Sequence, residues 1–279
     1  MQILLTNDDG VYAPGLAALE RALRRLGDVC VVAPSREQSG VAHQITFLTP
    51  LTAKKVFVDN EHWAWTVDGS PADCVKLGIT QISPHWPDLV VSGINGGLNA
   101  GVNILYSGTV AAAVEGAFYG ITSVAVSLEY DEDEPFHQAA KLAVEVIERI
   151  LREKDATGQL YNMNIPLAAL RTKRPKVKIV EMDTRQHWDS FEKRIDPFGR
   201  PYYWLSGRPD PRQPKRDIAH SATDFASLSE GFITLTPLQY DLTDRRRLAA
   251  MEAWNLDPSN DTPPLPGGKQ GPSIRTTSQ

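Results

Sequence analysis

The sequence is poor in the features that mark secreted, membrane and nucleic-acid-binding proteins. Its 279 residues include only two cysteines, Cys30 and Cys74, each within an apolar stretch, which predicts buried reduced thiols rather than disulfides. No apolar run approaches the roughly 18 to 20 residues that a helix needs to cross a bilayer. The segment from Met1 to Leu5 lacks the basic start and the cleavage site of a signal peptide. These absences predict a protein of the reducing cytoplasm.

A surplus of positive charge is also absent. Lysine and arginine number 29 against 34 aspartates and glutamates, which gives a formal net charge of −5. Nucleic-acid polymers are usually bound by a basic face, and the two short basic runs, 171–176 and 245–247, are typical of solvated surface. The composition therefore argues against a nucleic-acid polymer as a partner. An acidic protein that binds a phosphate ester needs a local cation, and a metal ion is one solution.

Strand-like and helix-like segments alternate in the first half of the chain. Short apolar runs predict strands, and apolar residues spaced three or four apart predict helices. The predicted strands are 2–6, 28–34, 87–92 and 121–127, and the predicted helices are 14–26, 110–119 and 136–153. This alternation predicts an α/β protein with a Rossmann-like, mostly parallel sheet and helices on both faces.

The remaining segments predict additions to that core. Residues 44–68 are rich in residues that favour strands, and 176–207 is strand-like with a turn at 196–200. A short helix capped by Thr223 and Asp224 and a strand over 232–238 follow. We therefore expect a single domain over 1–256, with a core of about 1–170 and a smaller β-rich extension over 171–256. Residues 257–279 read as a low-complexity tail of Pro, Gly, Ser and Thr.

Polar loops follow three of the predicted strands. They are 7–10, 35–40 and 92–97, and ligands of open parallel sheets bind beyond the carboxyl ends of the strands. Two adjacent carboxylates, Asp8 and Asp9, are costly to shelter unpaired. Mg²⁺ or Mn²⁺ would resolve this with oxygen ligands, and Ser39 and Asn95 complete a plausible set. The alternative is that Asp8 and Asp9 only form a turn or cap the next helix.

Other residues are candidates for holding a phosphate. Ser107, Gly108 and Thr109 stand at a predicted helix N-terminus, where free N–H groups attract anions. Gly96, beside a second glycine, would let backbone amides approach a ligand closely. Ordinary N-capping is the alternative for Ser107 and Thr109. His43, near Ser39, is a candidate acid or a donor to a ligand residue, or else a structural histidine.

These same segments resemble the signature blocks of the SurE family. The blocks are ILLTNDDGV at 3–11, the loop 33–40, VSGINGGLN at 91–99, YSGTVAAAVE at 106–115, NMNIP at 162–166, and 236–243. The resemblance covers the chain from its first residue to about residue 243 and does not extend into the tail.

The resemblance implies a Rossmann-like phosphatase that acts on nucleoside 5′- and 3′-monophosphates, with short polyphosphate as a further candidate substrate. It implies one divalent ion, Mg²⁺ or Mn²⁺, per subunit, bound by Asp8, Asp9, Ser39 and Asn95. It also implies a homodimer or tetramer with exchanged C-terminal segments, for which the stretch 196–204 is a candidate arm.

The expected mechanism is hydrolysis assisted by the metal ion, with Asp8 and Asp9 as the catalytic residues. The ion would polarise the ester, and Ser107, Gly108 and Thr109 would hold the other phosphate oxygens. Water and an aspartyl-phosphate intermediate both stay open as routes. Trp63, Trp65, Tyr106 and Phe118 are candidates for stacking on a base or for the core.

Two other functions fit part of the pattern. A nicotinamide-dependent dehydrogenase needs glycines in the first loop, where Asp8 and Asp9 would repel a pyrophosphate. A receiver-like or nucleotide-binding regulatory module also carries paired acids after its first strand, but such modules are about half this length.

Overall fold

The computed structural model describes residues 1–58, 61–133, 135–153, 158–184, 189–209 and 222–254. The chain forms two compact units, Met1–Tyr240 and a second that begins at Asp241. The described residues of the second unit, 241–254, include a short helix, Arg245–Met251, whose first turn is capped by the Asp244 carboxylate. The predicted tail, 257–279, lies outside the described residues, and the predicted domain boundaries stay a prediction.

A nine-stranded sheet forms the centre of the first unit. In chain order its strands are β1 Gln2–Thr6, β2 Asp28–Pro34, β3 Ala53–Val58, β4 Glu61–Val67, β5 Leu89–Gly96, β6 Thr122–Leu128, β7 Leu160–Ile165, β8 Val177–Ile179 and β11 Ile233–Leu238. Their spatial order is β3-β4-β2-β1-β5-β6-β7-β11-β8. The six strands from β4 to β7 run parallel. Strand β3 pairs antiparallel with β4, and β11 pairs antiparallel with β7 and parallel with β8.

Helices cover both faces of this sheet. They are α1 Pro14–Leu23, α2 Pro71–Leu77, α3 Gly108–Phe118, α4 Phe136–Glu153, α5 Leu167–Leu170 and α6 Asp224–Ser229, and the helix of the second unit is α7. Ile3 and Leu5 of β1 point into a core shared with α1 and α4. Leu4, between them, points into the core shared with α2 and α3. This alternation follows from the two-residue repeat of a strand.

The predicted α/β fold is confirmed, and several boundaries shift. The helix predicted over 14–26 ends at Leu23, the strand predicted over 87–92 extends from Leu89 to Gly96, and the helix over 136–153 has the predicted bounds. Residues 44–68 contain the β3–β4 hairpin at one edge of the sheet. Helix α2 was not predicted, although its Ser70–Asp73 capping box and the proline at its first position are sequence signals for a helix start.

Within the segment predicted as a β-rich extension, the structure has a hairpin that is separate from the central sheet. Strands β9 Asp189–Ile195 and β10 Pro201–Pro209 pair antiparallel with each other, and among the described residues neither pairs with a strand of the central sheet. Asp196 closes its tip by accepting hydrogen bonds from the backbone of Phe198 and Arg200. No helix in the described part of the chain is long and apolar enough to span a bilayer.

Candidate active site

The acid pair lies where β1 ends, at the centre of the sheet. Asp8 is buried, with 3% of its surface exposed, and Asp9 is partly exposed. The side-chain amide of Asn7 donates to the Gly10 carbonyl at 3.0 Å and closes the turn that follows. Gly10 itself has φ +100, a conformation that favours glycine. The loop therefore places two neighbouring carboxylates at the carboxyl end of the parallel sheet.

Thr109 holds the carboxylate of Asp8. Its hydroxyl donates to Asp8 Oδ1, and its backbone N–H donates to Oδ2 at 3.1 Å. A Cβ added to Gly108 would lie 2.9 Å from Asp8 Cβ, so only glycine allows this close approach of α3. The first turn of α3 thus fixes the side chain of Asp8.

The electrostatic environment of Asp8 disfavours its charge when no cation is present. Burial raises the pKa of Asp8, the two hydrogen bonds from Thr109 lower it in part, and the nearby Glu37 carboxylate raises it again, so that the pKa lies above its usual value. Among the described residues, the charged side chain that shifts the pKa of Asp8 is thus the acid Glu37, which disfavours a second negative charge. A bound cation would reverse the effect.

Asp9 lies against the carboxyl end of β5, whose last residues, Asn95 and Gly96, the sequence predicts as part of a loop. The backbone N–H of Gly96 lies 3.4 Å from Asp9 Oδ2. The side-chain amide of Asn95 donates to the Gly97 carbonyl at 2.6 Å. Because this hydrogen bond uses the amide nitrogen, the amide oxygen of Asn95 is the atom available as a metal ligand.

The loop that carries Ser39 is joined to the acid pair through its backbone. The N–H of Gln38 donates to the Asp8 carbonyl at 2.7 Å, and the N–H of Val11 donates to the Pro34 carbonyl at 2.8 Å. The hydroxyl of Ser39 donates to Glu37 Oε1 at 2.7 Å and is exposed. The residues of the three predicted loops therefore meet at the carboxyl ends of the central parallel strands.

The donor set fits a hard divalent cation. In the part of the chain that the structure describes, no group of three or more His, Cys, Asp or Glu residues is arranged to hold a metal ion. The candidates are thus two carboxylates, a hydroxyl and an amide oxygen, a set that suits Mg²⁺ or Mn²⁺ and leaves positions for water. Burial and the nearby Glu37 carboxylate disfavour the charged form of Asp8, so a bound cation would stabilise the site.

The phosphate candidates have partners of their own. Ser107 Oγ accepts from the Val110 N–H at 3.1 Å and caps α3. Both donors of Thr109 go to Asp8. Gly96 is exposed beside Asp9. The binding of phosphate by Ser107, Gly108, Thr109 and Gly96 stays a prediction, and so do the four metal ligands.

His43 contacts Glu115 rather than the acid pair. His43 Nε2 lies 2.8 Å from Glu115 Oε2, and Lys76 Nζ donates to the other oxygen at 2.7 Å. Sequence reasoning missed Glu115, although an acid in an otherwise apolar helix was a visible signal. It also missed that Thr109 donates to Asp8, because no local pattern links two residues so far apart in the chain.

The four candidate aromatic residues divide into two pairs. Trp63 and Trp65, on β4, are partly buried and pack against the two cores, and Lys55 Nζ lies 5.3 Å from the Trp65 ring centroid. Tyr106 and Phe118 are exposed at 62% and 50%. The second pair is therefore accessible to a ligand, and the first is largely structural.

Two clefts lie on either side of the loop 35–38. One, of about 280 Å³, is lined by Asp9, Gly96, Glu37, Glu129 and Asp131, with the rings of Tyr130 and Phe136. The other, of about 350 Å³, is lined by polar side chains that include Arg36, Gln38, Gln44 and Thr46. The first cleft contains Asp9 and Gly96 and is therefore the one that opens on the candidate site.

Comparisons with known proteins show which family the chain is similar to. The sequence model of the family described as "Survival protein SurE" matches residues 3–190. The 5′-nucleotidase SurE of Rhodopirellula baltica is 55% identical over 260 residues, which cover 92% of this chain and 100% of that protein. The 5′-nucleotidase SurE of Chloroflexus aggregans is 43% identical, with coverages of 92% and 100%. The crystal structure of the SurE protein from Aquifex aeolicus aligns with a TM-score of 0.76 and 38% identity, over 90% of this chain and 98% of that one.

Proposed function

The chain belongs to the SurE family, and we propose that it is a 5′-nucleotidase that hydrolyses nucleoside monophosphates with the help of one divalent cation. The observation that carries the proposal is the acid pair at the carboxyl end of β1, which lies against the loops of Ser39 and Asn95. Relatives named 5′-nucleotidase that match this chain over nearly its full length supply the substrate class.

Asp8, Asp9, Ser39 and Asn95 are the residues that would hold the cation, either Mg²⁺ or Mn²⁺. When bound, such an ion polarises the phosphate ester and offsets the charge that builds up during the reaction. Thr109 orients Asp8 for this role, since both of its donors point at that carboxylate. Ligands fixed in this way need little rearrangement when the ion and substrate bind.

The two aspartates would divide the work. Asp8 is buried and engaged by Thr109, whereas Asp9 lines the open cleft. Asp9 is therefore the candidate to orient or deprotonate an attacking water, with an aspartyl-phosphate intermediate as the alternative. The backbone amides of Gly96 and Gly108 and the side chain of Ser107 are the candidates to hold the phosphate oxygens.

The direct test of these roles is substitution of the acids. Asp8→Asn and Asp9→Asn should each lower the turnover of AMP by about 10³-fold or more while the protein stays folded, because each removes a charged ligand. A panel of 5′- and 3′-monophosphates and short polyphosphate, assayed with Mg²⁺ and with Mn²⁺, defines the substrate range. Near-normal turnover in either variant would contradict the assignment.

The assembly and location of the protein belong to the same proposal. The β9–β10 hairpin exposes large apolar side chains, among them Phe191, Tyr203 and Trp204. An exposed apolar hairpin favours contact with another copy of the chain. We therefore propose a homodimer or tetramer. Cys30 and Cys74 are both free thiols, which favours the reducing cytoplasm as its location.

A further inference from the structure

The loop that carries Ser39 has a side-chain anchor on α3. His43 follows Ser39 in a segment without helix or strand. Its Nε2 lies 2.8 Å from Glu115 Oε2, and its ring stacks on Phe118 with centroids 5.3 Å apart. Glu115 and Phe118 both belong to α3, so one helix receives both contacts of His43.

Glu115 is a fixed and charged partner for this histidine. Its side chain is 3% exposed, and its second oxygen accepts from Lys76 on α2. Burial raises the pKa of Glu115, but the hydrogen bonds from His43 and Lys76 and the positive charge of these groups together lower it by more, so that the pKa lies below its usual value. The carboxylate thus stays ionised at neutral pH and accepts a hydrogen bond on each oxygen.

Helix α3 also positions the other side of the site. Its first turn holds Asp8 through Thr109. Just before the helix, the Tyr106 carbonyl accepts from the Ala42 N–H at 3.0 Å. Helix α3 and the segment just before it therefore hold both the loop after Ser39 and the carboxylate of Asp8.

Hydrogen bonds also hold the residues on either side of His43: the Ala42 N–H donates to the Tyr106 carbonyl, and the Gln44 carbonyl accepts from Ser70 Oγ at 2.6 Å. Around Ser39 itself the restraints are weaker. Ser39 is exposed, and its hydroxyl bonds to Glu37 of the same loop, which fixes nothing relative to Asp8. Gly40 has φ +71, and a Cβ added there would meet no atom within 4 Å, so packing does not restrain the chain at that point. On the other side of Ser39 the restraint is the bond from the Gln38 N–H to the Asp8 carbonyl.

We propose that His43 is a positioning residue, whose hydrogen bond to Glu115 keeps Ser39 within reach of the cation held by Asp8 and Asp9. The inference rests on the proposed function, since it takes Ser39 as a metal ligand. A neutral hydroxyl is a weak ligand, and its contribution depends on how well the chain places it. Groups that orient metal ligands without touching the metal typically change metal affinity by about 10- to 100-fold.

Two variants separate the hydrogen bond from the ring contact. His43→Phe keeps a ring against Phe118 but cannot donate to Glu115, and His43→Gln keeps a donor without the ring. Calorimetric titration of the chelator-treated protein with Mn²⁺ should show about 10-fold weaker binding for His43→Phe and a loss of no more than about 3-fold for His43→Gln. At saturating Mn²⁺ the kcat for AMP should recover in both. His62→Phe, on β4, is the matched control and should bind Mn²⁺ as the wild type does.

A double-mutant cycle with Ser39→Ala tests the route of the effect. If His43 acts through Ser39, the double variant should bind Mn²⁺ no more weakly than Ser39→Ala alone, whereas a general structural role would give additive losses. Wild-type affinity in folded His43→Phe, or additive losses, would overturn the inference alone. Absence of Mn²⁺ binding in the wild type would overturn the metal site and the inference with it. If His43→Phe does not fold, His43→Asn, whose shorter side chain falls short of Glu115, carries the same expectation.

Discussion

At the scale of single residues, the cost of holding Asp8 explains much of the site. Its carboxylate is buried at the end of a central strand, and burial raises its pKa. The two donors of Thr109 offset part of that cost, and a cation would offset more. Stability and activity are therefore expected to oppose each other at this position.

The first prediction concerns the hydroxyl of Thr109. Thr109→Val keeps the shape of the side chain and the backbone donor but removes the bond to Asp8 Oδ1. We expect kcat/KM for AMP to fall about 10- to 100-fold, because the ligand carboxylate is less well oriented. Thr80→Val, which removes an exposed hydroxyl that donates to the Lys76 carbonyl, is the control and should have no effect. Equal activities of the two variants would contradict the role given to Thr109.

The second prediction concerns the charge of Asp8 in the metal-free protein. Because the pKa of this carboxyl is higher in the folded state than its usual value, the metal-free fold loses stability as pH rises from the usual pKa through the raised one. Asp8→Asn is neutral at every pH and lacks this loss. At pH 7 in EDTA the variant should unfold at a higher temperature than the wild type, by about 3 °C for each kcal/mol gained. A lower unfolding temperature for the variant would show that the charge of Asp8 does not destabilise the metal-free fold.

At the scale of elements, the site depends on how closely helices approach the central strands. A Cβ added to Gly15, at the start of α1, would overlap the Ile94 carbonyl oxygen of β5. Gly108 plays the same part on the other face, where α3 lies against Asp8. The glycines at these helix starts set the distance between each helix and the strand ends that carry Asp8 and Asn95.

The third prediction follows for Gly15. Gly15→Ala should lower the free energy of unfolding by about 2 kcal/mol, because the new methyl group meets backbone that cannot turn away. Gly96→Ala is the matched control for stability, since its Cβ would lie 3.7 Å from the Phe136 ring. Chemical denaturation of both variants gives the comparison, and similar losses in the two would rule out close packing as the reason for glycine at position 15.

Prediction from sequence succeeded for elements whose signals are local. The helix over 136–153 has its predicted bounds because its apolar repeat is unbroken, and the turn at 196–200 is the tip of a hairpin. The order of the strands could not be predicted, because no local pattern says which strands pair. In the structure, β4 lies beside β2 and not beside β5, the next strand along the chain. The contacts of Asp8 with Thr109 and of His43 with Glu115 join residues far apart in the chain, and only the folded sheet brings them together.

At the scale of the whole molecule, the β9–β10 hairpin is the feature least explained by one copy of the chain. In the part of the chain that the structure describes, it pairs with no strand of the central sheet, and it exposes Phe191, Tyr203 and Trp204. A two-stranded hairpin is only marginally stable by itself in water. A partner surface would therefore stabilise it, which favours self-association.

The fourth prediction tests that association. The double substitution Phe191→Ser and Trp204→Ser removes large apolar surface from the hairpin and should shift the protein toward smaller species in sedimentation. The same changes at Phe57 and Trp86, which are exposed elsewhere on the first unit, should leave the distribution unchanged. A wild-type protein that sediments as a monomer would contradict the proposed assembly.

The role of the metal ion is tested most directly by the rate of AMP hydrolysis before and after removal of divalent ions. Acidic side chains crowd the cleft at the end of β1, so both substrate binding and catalysis there should require a cation. Treatment with EDTA followed by desalting should reduce the rate to background, and Mg²⁺ or Mn²⁺ should restore it. Full activity in the chelated, ion-free protein would contradict the account.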